Sequence, residues 1–309
     1  MAANHHNELA QRWLGKLTRL NPAPGRAACR GKAPHKPLLL LSLLDMAESG
    51  EIKSRAFTRS PALVVRFRSY GCIVAERWPN RLDIKMPLFY IKNQQLWDAF
   101  DAEMRPATAP ENCVLCEMHP ELFELIADPG FRLKARMVLI SKYFEPAERV
   151  SLFESMGLQV SDQFRKAAER EVGEAIEAAK RRGRSARFAV RVVSEYRFTC
   201  ALTGYQCMAD GGSIVDAAHI EAWARTQNDE PANGLALSKN AHWMFDEGLW
   251  SADDQLRVVV ATNKFSERGP EAMQLRAMAG RHLQFDPAAK LRPGIDYLRQ
   301  HRCHHGFEL

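Results

Sequence analysis

The fold turns on Val215-Asp216-Ala217-Ala218-His219-Ile220, on Asn233-Gly234-Leu235-Ala236-Leu237, and on the run from Ser238 to Trp250. The first piece opens on a β-branched residue and reads as a short strand that delivers His219. Asn233-Gly234 is a turn-prone pair, and the run after it reads as a helix carrying His242 and Asp246. Thirteen residues separate His219 from Asn233, and eight separate Asn233 from His242.

His, then Asn, then His, in this order, resembles the HNH nuclease motif. The resemblance implies two antiparallel strands and a helix pinched around one divalent metal ion, a ββα-metal centre. Hydrolysing a phosphodiester takes a base to activate water and a cation to neutralise charge developing on the phosphate. A neutral imidazole is the natural base near neutral pH, and the resemblance gives that role to His219. It gives Asn233 the task of holding the base or the loop between the strands, and an amide is suited to fixing an imidazole tautomer. It makes His242 a metal ligand, with Asp216 completing the shell. Many members place a metal-binding Asp or His directly before the base, where this chain has Ala218. Asp216 stands three residues back from His219, on the opposite face of a regular strand. It reaches the metal only if the strand bends, and otherwise braces the loop. Asp246 reads as stabilising its helix or touching the metal. An oxygen-rich shell favours Mg²⁺ or Mn²⁺, and an imidazole ligand tolerates Ni²⁺ or Co²⁺.

At 309 residues and 46% hydrophobic, the chain has the length and the apolar content for two globular domains. No apolar run reaches the roughly 18 residues of a membrane span. The N-terminus has no apolar signal segment, so a cytoplasmic protein is expected. Seven cysteines, an odd number without framework spacing, point to reduced thiols. A net charge of +6 and a pI near 9.0 fit a polyanionic partner.

The region 1–145 opens with an amphipathic helix presenting Leu9, Trp13, Leu17 and Leu20, then a turn-rich piece from Asn21 to Lys32. Pro37 suits a first helical turn and Gly50 a helix end, so Leu38 to Leu44 reads as a buried helix. His35 and Lys36 stand at its N-terminus, a seat for phosphate, although the same residues also describe a core helix with two solvated polar neighbours. Leu63 to Phe67 reads as a strand or a helix face, and Trp78-Pro79-Asn80-Arg81 as a loop. Met86-Pro87-Leu88-Phe89-Tyr90-Ile91 carries a mid-run proline, which argues against a central strand.

The His-Lys-Pro-leucine helix start and the later proline-aromatic stretch together resemble the DNA sulfur-binding domain of phosphorothioate-dependent restriction enzymes. The resemblance implies a shallow apolar cup for the sulfur that replaces a phosphate oxygen, lined here by Met86, Pro87 and Tyr90. Sulfur is larger, more polarizable and less hydrated than oxygen, so an apolar cup favours it over a normal phosphate. His35 and Lys36 would hold the phosphate, with Arg26, Arg30, Lys32 and Arg81 as further contacts to the DNA backbone.

Cys113 to His119 shows only three possible zinc ligands and reads as a helix with buried thiols. Cys200 and Cys207 flank Thr203-Gly204 like the first hairpin of HNH domains, but no second cysteine pair follows, so no structural zinc is expected. The tail, with His301, Cys303, His304 and His305, reads as an exposed end. Phe131 to Tyr143 reads as a helix closing the first domain, followed by a helical connector at 146–183. From Lys180 to Arg197 seven basic residues face one acid, Glu195. Arg184, Arg187 and Arg191 are thus expected to contact DNA phosphates, a solvated helix face being the alternative. Leu256 to Ala261 reads as a strand, and the last forty residues as a helical or loop cap.

The expectation is a two-domain α+β protein: a mixed α/β DNA-reading domain at 1–145, the connector, and an HNH domain at 184–309. It would act as a homodimer on phosphorothioated double-stranded DNA, as a modification-dependent restriction endonuclease. The alternatives are an HNH nuclease reading methylated or otherwise modified bases, a nuclease specific for a sequence in ordinary DNA, and a non-catalytic DNA-binding protein with an inactive HNH domain.

Overall fold

Trp13, Leu14 and Leu17 recur at helical spacing, and all three are buried on one side of α1 (Ala2–Leu17) in a computed structural model of the chain. The structure describes residues 2–25, 29–80, 82–158, 160, 162–209 and 212–307. Arg26 and Arg81, two of the expected DNA contacts, lie outside the described residues. The chain divides into two compact units between Arg187 and Phe188.

In the first unit, the leucine run makes α2 (His35–Glu48) buried almost all round, and α2 is the central helix of the core. After β1 (Ala56–Thr58), α3 (Pro61–Ile73) takes in Leu63 to Phe67, which settles that segment as helix. Ser60 caps it by accepting from the Leu63 N–H. Met86 to Tyr90 lies in the short α4 (Lys85–Tyr90), where Pro87 occupies the first turn and its missing N–H leaves no hydrogen bond unmade. β2 (Trp97–Phe100) and β3 (Leu115–Met118) complete an antiparallel sheet in the order β1-β3-β2.

The helix expected at Cys113–His119 is therefore a strand. Cys116 and Met118 alternate inward, and β3 is paired along both edges, so ladder bonds and period-two burial win over helix propensity. The thiols of Cys113 and Cys116 are buried as expected. α5 (Pro120–Ala127) and α6 (Pro129–Tyr143) cover the core, and Arg136 on α6 is paired with Glu48 on α2.

The segment expected as a separate connector, 146–183, holds α7 (Pro146–Met156), α8 (Asp162–Val172) and the first part of α9 (Ile176–Glu195), and the division between units falls inside α9. α7 is part of the first unit: its Leu152 and Phe153 join the same core as Trp13 and Leu38. Gly183 of α9 lets this helix approach α7 closely, since a Cβ there would sit 2.3 Å from the Ser151 carbonyl oxygen. Arg77, 3% exposed, donates to both carboxylate oxygens of Glu148 on α7 at 2.9 and 3.2 Å, and its third nitrogen donates to the carbonyls of Arg30 and Lys32.

In the second unit, β4 (Met208–Ala209) and β5 (Gly212–Ser213) form a ribbon. β6 (Val215–His219) then leads to α10 (Trp223–Thr226), and β7 (Gly234–Ser238) returns antiparallel to β6 with His219 opposite Gly234 and Asp216 opposite Leu237. α11 (Lys239–Asp246) follows directly. Asn233-Gly234 is not the hairpin turn its sequence suggests. Gly234 is extended at φ −131°, and the chain between the strands takes the longer path through α10. β8 (Trp250–Ala252) pairs with β9 (Val258–Val260), inside the expected 256–261 strand. α12 (Ile295–His305) is a packed helix with His301 and Arg302 buried, so of the expected exposed tail His301 belongs to the core, while Cys303 and His304 are exposed. Among the described residues no helix is long and apolar enough to cross a membrane.

Candidate functional site

β6 and β7 place His219 beside the start of β7, and α11 carries His242 and Asp246 one turn apart. His219, His242 and Asp246 line one cavity of about 350 Å³ with Glu221, Arg225 and His304. The His219 ring is stacked on Phe188, and its Nε2 lies 3.0 Å from an oxygen of Asp229. The other Asp229 oxygen accepts from the Trp223 indole N–H at 3.1 Å.

Asn233 is fully buried and holds the inter-strand loop rather than the imidazole. Its side-chain oxygen accepts from the Glu221 N–H, and its NH₂ donates to the carbonyls of Glu221 and Asn228. Of the two tasks the resemblance implied for it, the loop is the one it performs here, and Asp229 takes the ring. Asp216 is half exposed and paired with Lys239 at 2.9 Å, as strict alternation requires, and it does not line the cavity. His242 Nε2 and Asp246 Oδ2 are 3.4 Å apart. Loss of surrounding water raises the Asp246 carboxyl above its ordinary value, and the nearby His242 draws it back.

Among the described residues no three His, Cys, Asp or Glu side chains are grouped to hold a metal ion. The nitrogen of His242 and the oxygen of Asp246, adjacent on one helix face, fit a cation that takes two protein ligands and completes its shell with water and phosphate, as Mg²⁺ sites commonly do. His301, far from being solvated, is stacked on Phe245 at 3.8 Å, donates from Nε2 to the Phe245 carbonyl, and accepts at Nδ1 from Ser251. Burial pushes its pKa down to about 3, so it sits in the wall of the cavity as a neutral ring.

In the first unit a cavity of about 780 Å³ brings Met86, Pro87 and Tyr90 of α4 together with His35 and Lys36 at the start of α2. Pro87 is buried, while Met86 and Tyr90 stay about 40% exposed at 41% and 39%. The turn-rich piece supplies Asn21, Pro22 and Pro24, and the loop after α3 supplies Trp78 and Asn80. The His35 ring meets Trp78 edge to face, 5.6 Å between centroids. Burial lowers the His35 pKa below the usual imidazole value, with Asp83 opposing, and burial also lowers that of Lys36. Lys36 Nζ donates to the Asn21 carbonyl, so part of its hydrogen-bonding capacity braces the loop. Arg30 and Lys32 are exposed, on the loop that Arg77 anchors.

The basic run of α9 is less uniform than its sequence. Lys180 is paired with Glu169 and Glu177, Arg197 with Asp286, and Arg187 packs beside Gly157 at the end of α7. Arg184 is half-buried and Arg191 exposed. Phe188, Trp223, Asp229, Trp78 and Arg77 are the participants that sequence reasoning missed. Asp229 lies in a polar loop with no periodicity to mark it, and Phe188 sits in a helix whose basic residues drew the attention.

An antiparallel strand pair feeding a helix, with His219 and His242 in one cavity, gives the second unit the ββα arrangement that the HNH resemblance implies. Residues 200–253 match the HNH endonuclease family, and residues 10–161 match the ScoMcrA-like DNA sulfur-binding domain. The chain therefore joins a ScoMcrA-like DNA sulfur-binding domain to an HNH endonuclease domain. No curated protein matches it. A solved structure similar to it, a modification dependent TagI restriction endonuclease, is 25% identical with a TM-score of 0.32. The match covers 48% of this chain and 44% of that one, so this chain spans under half the length of that relative.

Proposed function

We propose that the protein is a modification-dependent restriction endonuclease that binds phosphorothioated double-stranded DNA in the cavity of its first unit and hydrolyses phosphodiester bonds at the metal-dependent centre of its second. One observation carries the reading: residues fifty apart in sequence, His35 and Lys36 on one side and Met86, Pro87 and Tyr90 on the other, line a single cavity. An apolar wall of proline, methionine and tyrosine suits a sulfur atom, and a ring N–H of His35 suits a hydrogen bond to the remaining oxygen. Arg30 and Lys32 supply exposed charge for neighbouring phosphates.

In the second unit His219 takes the proton of the attacking water. Asn233 fixes the loop on which the ring's partner sits. His242 and Asp246 would hold a divalent cation, Mg²⁺ or Mn²⁺ before Ni²⁺ or Co²⁺, and such an ion would supply neutralisation of the charge developing on the phosphate. Cutting both strands of a duplex calls for two copies of the centre, hence a homodimer on DNA.

A second reading rests on the size of the first cavity. Its 780 Å³ lies within the range of small-molecule pockets, and Trp78 and Tyr90 offer aromatic walls for an unstacked, modified base. Matched duplexes separate the two: one with a single phosphorothioate, one with methylcytosine and one plain, each incubated with Mn²⁺ or Mg²⁺ and followed for binding and for cutting. Selective binding and cleavage of the sulfur-bearing duplex, lost to cleavage in His219→Ala, is expected. Preference for the methylated duplex overturns the sulfur reading.

A further inference from the structure

We infer that Asp229 is the positioning residue of the nuclease centre, holding His219 as the tautomer with hydrogen on Nε2 and so presenting Nδ1 as the base. The inference rests on the reading of His219 as the base, and neither family match assigns a role to Asp229.

A carboxylate is an acceptor only, so the ring nitrogen 3.0 Å from it carries the hydrogen. The opposite nitrogen then keeps its lone pair, which is what a base needs to take a proton from water. The carboxylate also balances the charge that the ring acquires once it has done so.

Three features mark the arrangement as built. Asp229 has only 11% of its side chain exposed, and its second oxygen is committed to the Trp223 indole. The loop is tied on both sides: the Asn228 carbonyl accepts from buried Asn233, the Asn228 amide donates to the Tyr297 hydroxyl, and that hydroxyl donates to Glu230. Phe188 covers one face of the His219 ring, with centroids 3.8 Å apart, leaving the ring a single plane in which to meet Asp229. Asn233 does not do this work, because its three hydrogen bonds all go to backbone.

The Trp223 contact makes the consequence of one substitution specific. In Asp229→Asn the indole N–H still requires an acceptor, so the amide oxygen stays on Trp223 and the NH₂ faces His219. Nε2 must then accept, and the ring turns to the wrong tautomer. The same kind of substitution in a serine-protease triad costs about 10⁴-fold in kcat.

The test uses the full chain labelled with ¹⁵N-histidine. Ring ¹⁵N spectra near pH 7.5 report the tautomer of His219, assigned by its disappearance in His219→Gln. The signal of buried His301 serves as the check on folding. Single-turnover cleavage of a phosphorothioated duplex is measured in parallel.

The wild type is expected to show hydrogen on Nε2, and Asp229→Asn hydrogen on Nδ1. Its kcat should fall roughly 10²- to 10⁴-fold, with KM changed less than about threefold. Hydrogen on Nδ1 in the wild type overturns the inference, and so does an Asp229→Asn protein with unchanged spectrum and rate. A wild type that cuts no DNA in any metal, yet shows the expected spectra, leaves the positioning in place and removes the nuclease reading instead.

Discussion

The ring of Phe188 lies flat against that of His219, with planes 6° from parallel, and Gly234 is what makes room for it. Gly234 pairs with His219 across the two strands, and a Cβ there would come within 2.9 Å of Phe188 and 2.5 Å of Val192. Gly234→Ala should therefore push Phe188 off the imidazole. Displacements of this size cost up to about 100-fold in rate, so cleavage should drop 10- to 100-fold while binding to the duplex holds. Single-turnover rates beside equilibrium titrations check this, and an unchanged rate refutes it.

His301 makes the stability of the second unit depend on pH. Its pKa is about 3 in the folded protein against an ordinary 6.5, so the unfolded chain takes up the proton first as pH falls. The contribution is complete above pH 6.5 and erodes toward pH 3, by roughly 1.4 kcal/mol per pH unit. Urea unfolding of the second unit at pH 7.5 and 5.5 should show this difference, and His301→Gln should show a smaller one. Equal slopes in the two proteins would sink the assignment.

Tyr90 and Met86 are partly open to solvent while Pro87 is buried, so on the proposed reading the rim sets the selectivity. Tyr90→Ser and Met86→Ser should each lower the preference for sulfur-bearing over plain duplex by about tenfold, the equivalent of 1.4 kcal/mol. Affinity for plain DNA should stay the same. A loss shared by both duplexes would mean that these side chains grip the backbone instead.

Burial holds the His35 pKa below the ordinary imidazole value. A bound phosphorothioate favours the charged ring, so binding takes up a proton and affinity should rise as pH falls from 7.5 through 6. His35→Gln should flatten that dependence. Titrations at three pH values with ionic strength held constant decide it, since charge contacts also vary with salt.

The nuclease half was largely legible because its chemistry sits on regular elements: His219 ends a strand and His242 lies on the helix after the next one. Asp216, expected as a metal ligand, instead lies on the face that the period of a strand gives it, paired with Lys239 and away from the cavity. What stayed hidden were partners supplied by irregular backbone. Asp229 comes from a loop whose path depends on Asn233, and no spacing rule predicts that a residue ten positions on will reach back to the ring. In the reader half, α2 was plain from its leucines and the later proline-aromatic stretch was identifiable. Cys113–His119 was misread because four residues are too few for period two to show until both neighbouring strands are paired. The tail looked solvated from its histidines, yet His301 is neutral and packed, a state that depends on Ser251 and the Phe245 carbonyl from distant positions.

The bidentate contact between Arg77 and Glu148 also has a bearing on how the recognition unit can be transplanted. Arg77 clasps the carbonyls of Arg30 and Lys32 with one nitrogen and the α7 carboxylate with the other two. A fragment cut at residue 145 keeps every residue of the cavity wall yet takes buried Glu148 from a buried guanidinium, leaving beside it only the exposed carboxylate of Glu145 at 3.9 Å, a loss of up to about 3–5 kcal/mol. Anyone grafting this reader onto a different effector should carry the chain past α7, because the helix that looks like a tether is the buttress of the loop.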